Sequence, residues 1–203
     1  MNNTYTNTDD DLTIGYEAPL EMVPEGRHPM VCVDIFKTWP EEQTFDGKTK
    51  TYEKIMFVFQ VFPEDGARDS EGNIYRIERK LTWSLAPKPD GTPGGLQALL
   101  EKWRGKEFTA AELKSVNLSA FKGMAAWGTI VHNTRYANLQ DIEPYCELDE
   151  NSNPTGKPLT APKAGPYTRR TYRKPGEKAT VAQSSNSPIN GGNSNDASKF
   201  VPF

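Results

Sequence analysis

Three successive stretches of the chain alternate apolar and polar residues with a period of two, and the period then changes, once, to three and four. In MVCVDIFKTW (Met30 to Trp39), Val31, Val33 and Ile35 share one face. In KIMFVFQVF, Ile55, Phe57, Phe59 and Val61 alternate with Lys54, Met56, Val58 and Gln60, and in IYRIERKLTWSL, Leu81, Trp83 and Leu85 oppose Lys80, Thr82 and Ser84. β-Branched and aromatic residues at this spacing predict strands. The polar links PEEQTFDGKTKTYE, with Asp46-Gly47 as a turn pair, and PEDGARDSEGN make the three a meander. Beyond APKPDGTPGG, Leu96, Leu99, Leu100 and Trp103 recur at helical spacing until Gly105. This predicts one helix of about ten residues with Trp103 in the core. FTAAELKSV adds a helical turn in which Thr109 and Glu112 can form a capping box. GMAAWGTIVHN and RYANLQDIEPY predict two more strands joined at Asn133-Thr134.

The order strand, strand, strand, helix, strand, strand leads to a mainly β domain. It is the order expected of the five-stranded Greek-key barrel called the OB-fold, with the helix between strands 3 and 4. An open α+β sheet without barrel closure is the alternative. With 203 residues, 35% apolar and 25% charged, the chain suits one domain with extensions. The domain is placed at 27–145, after an acidic extension at 1–26 and before a tail at 146–203. That tail is rich in Pro, Gly, Ser, Asn and Thr, a composition that predicts disorder because too little surface can be buried to offset ordering.

The stretch RKLTWSL, together with LLEKWRGKEFTAAELKSVNLSAFKGMAAWGTIVHNTRYANLQDIEP, resembles a bacteriophage-type family of OB-fold single-stranded DNA-binding proteins. The resemblance rests on the Trp-Arg-Gly at the helix end, the Phe-Thr and Glu-Leu that follow, and the Tyr-Ala-Asn of the last strand. It covers about residues 27–145 and implies a protein that coats DNA during replication, recombination or repair.

Several other classes find no support in the residues. No apolar run is long enough to span a membrane, and the first 22 residues have neither the basic start nor the apolar stretch of a signal peptide, so a cytoplasmic location is expected, the host cell's if the chain is phage-encoded. Cys32 and Cys146 are too few for a disulfide framework and read as small hydrophobes. The histidines, His28 and His132, form no local ligand pair with each other or with a cysteine, so no metal is expected. GTPGGLQ precedes a helix but lacks the Gly-Lys-Ser/Thr of a nucleotide loop. No catalytic constellation or cofactor motif is found, and the chain is read as a non-enzyme.

Single-strand binding asks for cations that follow phosphates and aromatic faces that carry bases. Lys54, Lys80, Thr82 and Ser84 fall on strand faces opposite the expected core, Arg76 and Arg79 flank them, Lys37 and Trp39 end the first strand, and Arg135 and Tyr136 open the last. Trp39 and Tyr136 fit no apolar face and are the stacking candidates, whereas Trp83 alternates with leucines and reads as core. The net charge of −3 hides an uneven distribution. Residues 1–26 carry six acids and no base, 27–145 are neutral, and 146–203 carry a surplus of three positive charges. A neutral domain is a poor platform for a polyanion, and the tail segment GPYTRRTYRKPGEK is a second source of attraction. There Tyr167 and Tyr172 interleave with Arg169, Arg170 and Arg173. The acidic extension could in turn occupy a basic groove.

The chain ends NDASKFVPF. Its last residues resemble the acidic and hydrophobic tip of bacterial single-stranded DNA-binding proteins, although Asp196 is here the one acid and Lys199 opposes it. The resemblance implies that Asp196, Phe200, Pro202 and Phe203 dock replication or repair proteins. Two rival readings are an RNA-binding OB module and a protein-recruiting adaptor that touches no nucleic acid.

Overall fold

A computed structural model describes residues 21–170 of the chain. The expected tip residues Asp196, Phe200, Pro202 and Phe203, the tail residues Tyr172 and Arg173, and most of the acidic extension lie outside these. The described part is mainly β. Strands β1 (Gly26–Phe45), β2 (Lys48–Val61), β3 (Tyr75–Thr82), β4 (Ala125–His132) and β5 (Ala137–Pro144) form one antiparallel sheet in the order β3-β2-β1-β4-β5. Helix α1 (Gly95–Arg104) lies between β3 and β4 in the chain and packs on both β3 and β5. The two edge strands, β3 and β5, also approach each other, although no ladder joins them. No helix among the described residues is long and apolar enough to cross a membrane.

The first two strands run further than their apolar pattern. They continue as a hairpin ribbon whose turn is Asp46-Gly47, both with positive φ (48° and 70°), the conformation that twists a two-residue turn to match its strands. In β1 the expected grouping of Val31, Val33 and Ile35 does not hold. A register shift between Cys32 and Asp34 inserts a residue, so Met30 and Cys32 share the core with Ile35, while Asp34 and Phe36 turn outward. In β2 both faces are buried from Lys54 to Val61, against the expectation of a half-exposed strand.

The core joins Ile55, Phe57 and Phe59 of β2 to Leu96, Leu100 and Trp103 of α1 and to Ile130, Leu139 and Ile142 of the last two strands. Trp103 is 1% exposed, its ring 5.4 Å from Phe59 and 5.1 Å from Phe121, and its Nε1 donates to the Ala125 carbonyl at 2.9 Å. Burying the ring while satisfying its one donor is what lets a tryptophan sit at the centre of a core. Gly105 ends α1 in the left-handed conformation (φ 69°), and the N–H groups of Gly105 and Lys106 donate to Lys102 and Glu101. The capping box forms as expected: Glu112 N–H donates to Thr109 Oγ1 at 3.2 Å and Thr109 N–H donates to Glu112 Oε2 at 2.8 Å. That backbone bond, with Arg104 at 2.7 Å, lowers the Glu112 pKa to about 2.

Disorder was the expectation for 146–203, yet residues 146–170 are ordered against the domain. Strands β6 (Cys146–Leu148) and β7 (Pro154–Pro158) form a hairpin whose turn is closed by the Asp149 carboxylate, which accepts from the N–H groups of Asn151 and Asn153 at 2.9 and 2.8 Å. Trp127 Nε1 donates to the Cys146 carbonyl at 2.9 Å and ties the hairpin to β4. Composition misses such a turn because its stability comes from local side-chain to backbone bonds. Cys32 and Cys146 are both buried thiols, and burial pushes Cys32 up to about 12. The histidines hold the chain that enters β1: His132 Nε2 lies 2.7 Å from the Val23 carbonyl and His28 Nε2 lies 3.0 Å from that of Pro24.

Candidate nucleic-acid interface

On the outer face of the sheet, register decides which side chains meet. Cross-strand partners share a face, and β2 and β3 pair Lys54 with Thr82, Met56 with Lys80, Val58 with Glu78 and Gln60 with Arg76. Arg76 and Lys80 therefore lie on the outer face of β3. Arg79 does not. It falls in step with Tyr75, Ile77 and Leu81, the residues that pack on the core, and its Nε is buried without a hydrogen bond among the described residues. The expectation that Arg79 flanks the exposed cations is corrected by this parity.

Beside β3, a cleft of about 440 Å³ gathers residues that are distant in sequence. Arg76 and Lys80 line it from β3, Arg135 and Tyr136 from the connection between β4 and β5, and Arg170 from beyond the hairpin. Four cations there face the carboxylates of Glu21 and Glu78, and one of the four, Lys80, is also paired with Glu41 outside the lining. Neither Arg76 nor Arg135 makes an ion pair among the described residues, and Tyr136 is 62% exposed. The β4–β5 connection owes its shape to Asn133, whose Oδ1 accepts from the N–H groups of Arg135 and Tyr136 at 3.0 and 2.7 Å. That turn fixes the backbone from which both residues line the cleft.

Further along the sheet, cations and rings alternate. Lys80 Nζ lies 5.5 Å from the half-buried Trp39 ring and 2.9 Å from Glu41. Lys37 Nζ lies 4.2 Å from the Trp83 ring and 3.1 Å from Glu53. Trp83 is 40% exposed rather than buried, because β3 ends at Thr82 and the alternation that placed it in the core ends with it. Ser84 likewise lies past the strand, its Oγ accepting the Ala86 N–H at 3.1 Å in a turn. Lys54, expected as an exposed cation, is buried; its ammonium is 3.5 Å from Glu41 and donates to Thr82 Oγ1 at 3.2 Å. A buried, paired lysine is a structural ion pair and is closed to a passing phosphate. Thr82 is held as its acceptor.

The tail residues take a different place from the one their composition implied. Residues 165–170 form a strap that lies against the outer face. Gly165 N–H donates to Gln60 Oε1 at 2.8 Å, and Gln60 Nε2 donates to the carbonyls of Gly165 and Pro166 at 3.3 and 3.2 Å. Arg169 donates to Asp34 from Nε at 2.6 Å and from Nη2 at 3.0 Å, with its guanidinium carbon 4.3 Å from the centre of the Phe36 ring. Lys122 donates to the same carboxylate at 2.8 Å. Burial alone would raise the Asp34 pKa, but the hydrogen bonds from Arg169 and Lys122 outweigh it and hold it at about 2. Burial pushes the Tyr167 phenol up. Arg169 is thus engaged with the sheet, while Arg170 reaches the cleft.

Sequence reasoning missed Asp34, Phe36 and Gln60, all read as ordinary strand positions, and it missed the exposure of Trp83. One signal was present: an acid and an amide inside β-branched strands need a partner when buried.

No protein-family model matches the chain, and no solved structure matches it. Among curated proteins it is similar to an alginate lyase of Pseudomonas syringae pv. syringae (strain B728a), with 25% identity over 135 residues, 64% of this chain and 35% of that protein. The chain therefore spans about a third of the length of the curated relative it matches. Similarity of this degree does not make the chain a member of that protein's family.

Proposed function

We propose that the chain is a non-catalytic single-stranded DNA-binding protein whose sheet is an OB-type barrel. It would coat DNA in phage replication, recombination or repair and recruit partners through Asp196, Phe200, Pro202 and Phe203. The observation that carries the reading is the cleft, where Arg76, Lys80, Arg135 and Arg170 converge beside the exposed ring of Tyr136. Cations that track phosphates, next to an aromatic face, make a sequence-tolerant single-strand site. The strand order and the approach of β3 to β5 suit a barrel, and OB barrels bind oligomers on the face of strands 2 and 3 and at the loop joining strands 4 and 5. That is where the cleft lies. The local surplus of positive charge also answers the objection that the domain as a whole is neutral.

The test is a mobility shift with matched single-stranded DNA, duplex DNA and single-stranded RNA, repeated across a salt series. Preferential retardation of single-stranded DNA, with log affinity falling against log salt, is expected. Equal or stronger retention of RNA would replace DNA with RNA as ligand, and a flat salt series would leave the adaptor reading.

The similarity to an alginate lyase favours one second reading, an enzyme or binding module for alginate. Alginate is also a polyanion, so the same cations would serve it. Incubating the chain with alginate and following chain shortening tests the enzyme, and competing labelled single-stranded DNA with alginate tests the binding module, since a DNA-coating protein leaves the polymer intact and prefers the oligonucleotide.

A further inference from the structure

We infer that Asp34 and Gln60 are positioning residues for the proposed interface, seating the strap at 165–170 so that Arg170 completes the cleft from outside the sheet. This rests on the reading of the cleft as a DNA site. The seat is built from buried polar groups. Gln60 is 2% exposed and makes all its described side-chain hydrogen bonds to Gly165 and Pro166, and Asp34 is 5% exposed and takes a two-nitrogen grip from Arg169. Were the strap to leave, the Gln60 amide would lose its partners and Asp34 would keep only Lys122 and the Ile35 N–H, so departure exposes or strands buried polar atoms. The strap also packs closely, since a Cβ on Gly165 would fall 2.6 Å from Ile74 Cδ1. Residue 170 follows the anchored Arg169 directly, and it is the one residue of the strap that lines the cleft. Holding 165 and 169 therefore leaves little freedom in where Arg170 stands.

The sign of one substitution decides the matter. Asp34→Asn removes a negative charge near a polyanion site, and charge alone would make DNA bind more tightly. Loss of the anchor predicts the reverse. The measurement is the fluorescence anisotropy of labelled oligothymidylate with the full chain, across a salt series. Asp34→Asn and the charge-neutral Gln60→Met are each expected to bind roughly tenfold more weakly. The salt slope should fall by about 0.7, the share of one phosphate on a single strand. Trypsin should then cut faster after Arg169 and Arg170. Adding Arg170→Ala to either variant should weaken binding no further, because the contact is already lost. Binding equal to or tighter than wild type in Gln60→Met overturns the inference, and this variant decides if Asp34→Asn does not fold. A wild-type chain that leaves the oligomer free overturns the proposed function and the inference together; a binding wild type with unaltered variants overturns the inference alone.

Discussion

Gln60 and Gly165 stand 105 residues apart in the chain and exchange a pair of hydrogen bonds, the Gly165 N–H donating to Oε1 at 2.8 Å and Nε2 donating to the Gly165 carbonyl at 3.3 Å. This contact marks where the domain extends past its expected limit at residue 145. A segment whose composition reads as linker becomes part of the sheet's outer wall, and the cleft gains its fourth cation.

Arg76→Ala together with Lys80→Ala should weaken oligothymidylate binding and lower the salt slope by about 1.4, two phosphates at about 0.7 each. Arg79→Ala is the control. Sharing the core face of β3 with Tyr75 and Ile77, it should leave the slope unchanged. A slope that follows Arg79 and not its neighbours would move the interface to the other face of the sheet.

Tyr136→Ala should lose roughly 1–3 kcal/mol of single-strand affinity through lost base stacking. The residue is 62% exposed, so the melting temperature should hold. Titrating the variant with oligonucleotides of different base composition checks both halves, since stacking predicts a similar loss for each.

Acid should loosen the strap. The Asp34 pKa is lowered to about 2 in the folded chain, against an ordinary value of 3.8. A carboxyl with a depressed folded pKa contributes stability in full above its unfolded pKa, and that stability is lost as pH falls through the folded value. The window is therefore about pH 4 down to about pH 2. Thermal melts across it should show a fall that is shallower in Asp34→Asn, whose side chain does not titrate. Parallel wild-type and variant profiles would remove Asp34 from the acid response.

Gly105→Ala should destabilise the domain by about 1–3 kcal/mol without altering DNA contacts. The residue holds φ at 69°, and a Cβ there would lie 2.7 Å from Pro144 Cγ. A denaturant melt reads this directly.

Trp103→Ala should be harsher, about 3–5 kcal/mol, because the ring fills the space between Phe59 and Phe121. If that variant keeps a cooperative melt near the wild-type midpoint, the core does not centre on α1.

The strands, the single helix and both of its ends were legible because their causes are local. Period-two alternation in Ile55 to Val61, helical spacing from Leu96 to Trp103, the left-handed stop at Gly105 and the Thr109–Glu112 box each depend on residues within a few positions of one another. By itself the sequence determined the five strands of the main sheet, the helix and its place between strands 3 and 4, but not the hairpin of β6 and β7. It also offered Arg76, Lys80, Arg135 and Arg170 as candidate cations, but only within a larger group that included Lys37, Lys54, Arg79, Arg169 and Arg173. What only the tertiary structure decided was which of them meet. The inserted residue between Cys32 and Asp34 reverses the faces of β1, the end of β3 at Thr82 exposes Trp83, and the ion pair with Glu41 buries Lys54. The strap folds back because Gln60 and Asp34, buried by strands far from it in the chain, have polar atoms that it satisfies. Contacts of that kind arise from burial of one segment against another, and periodicity within either segment carries no trace of them.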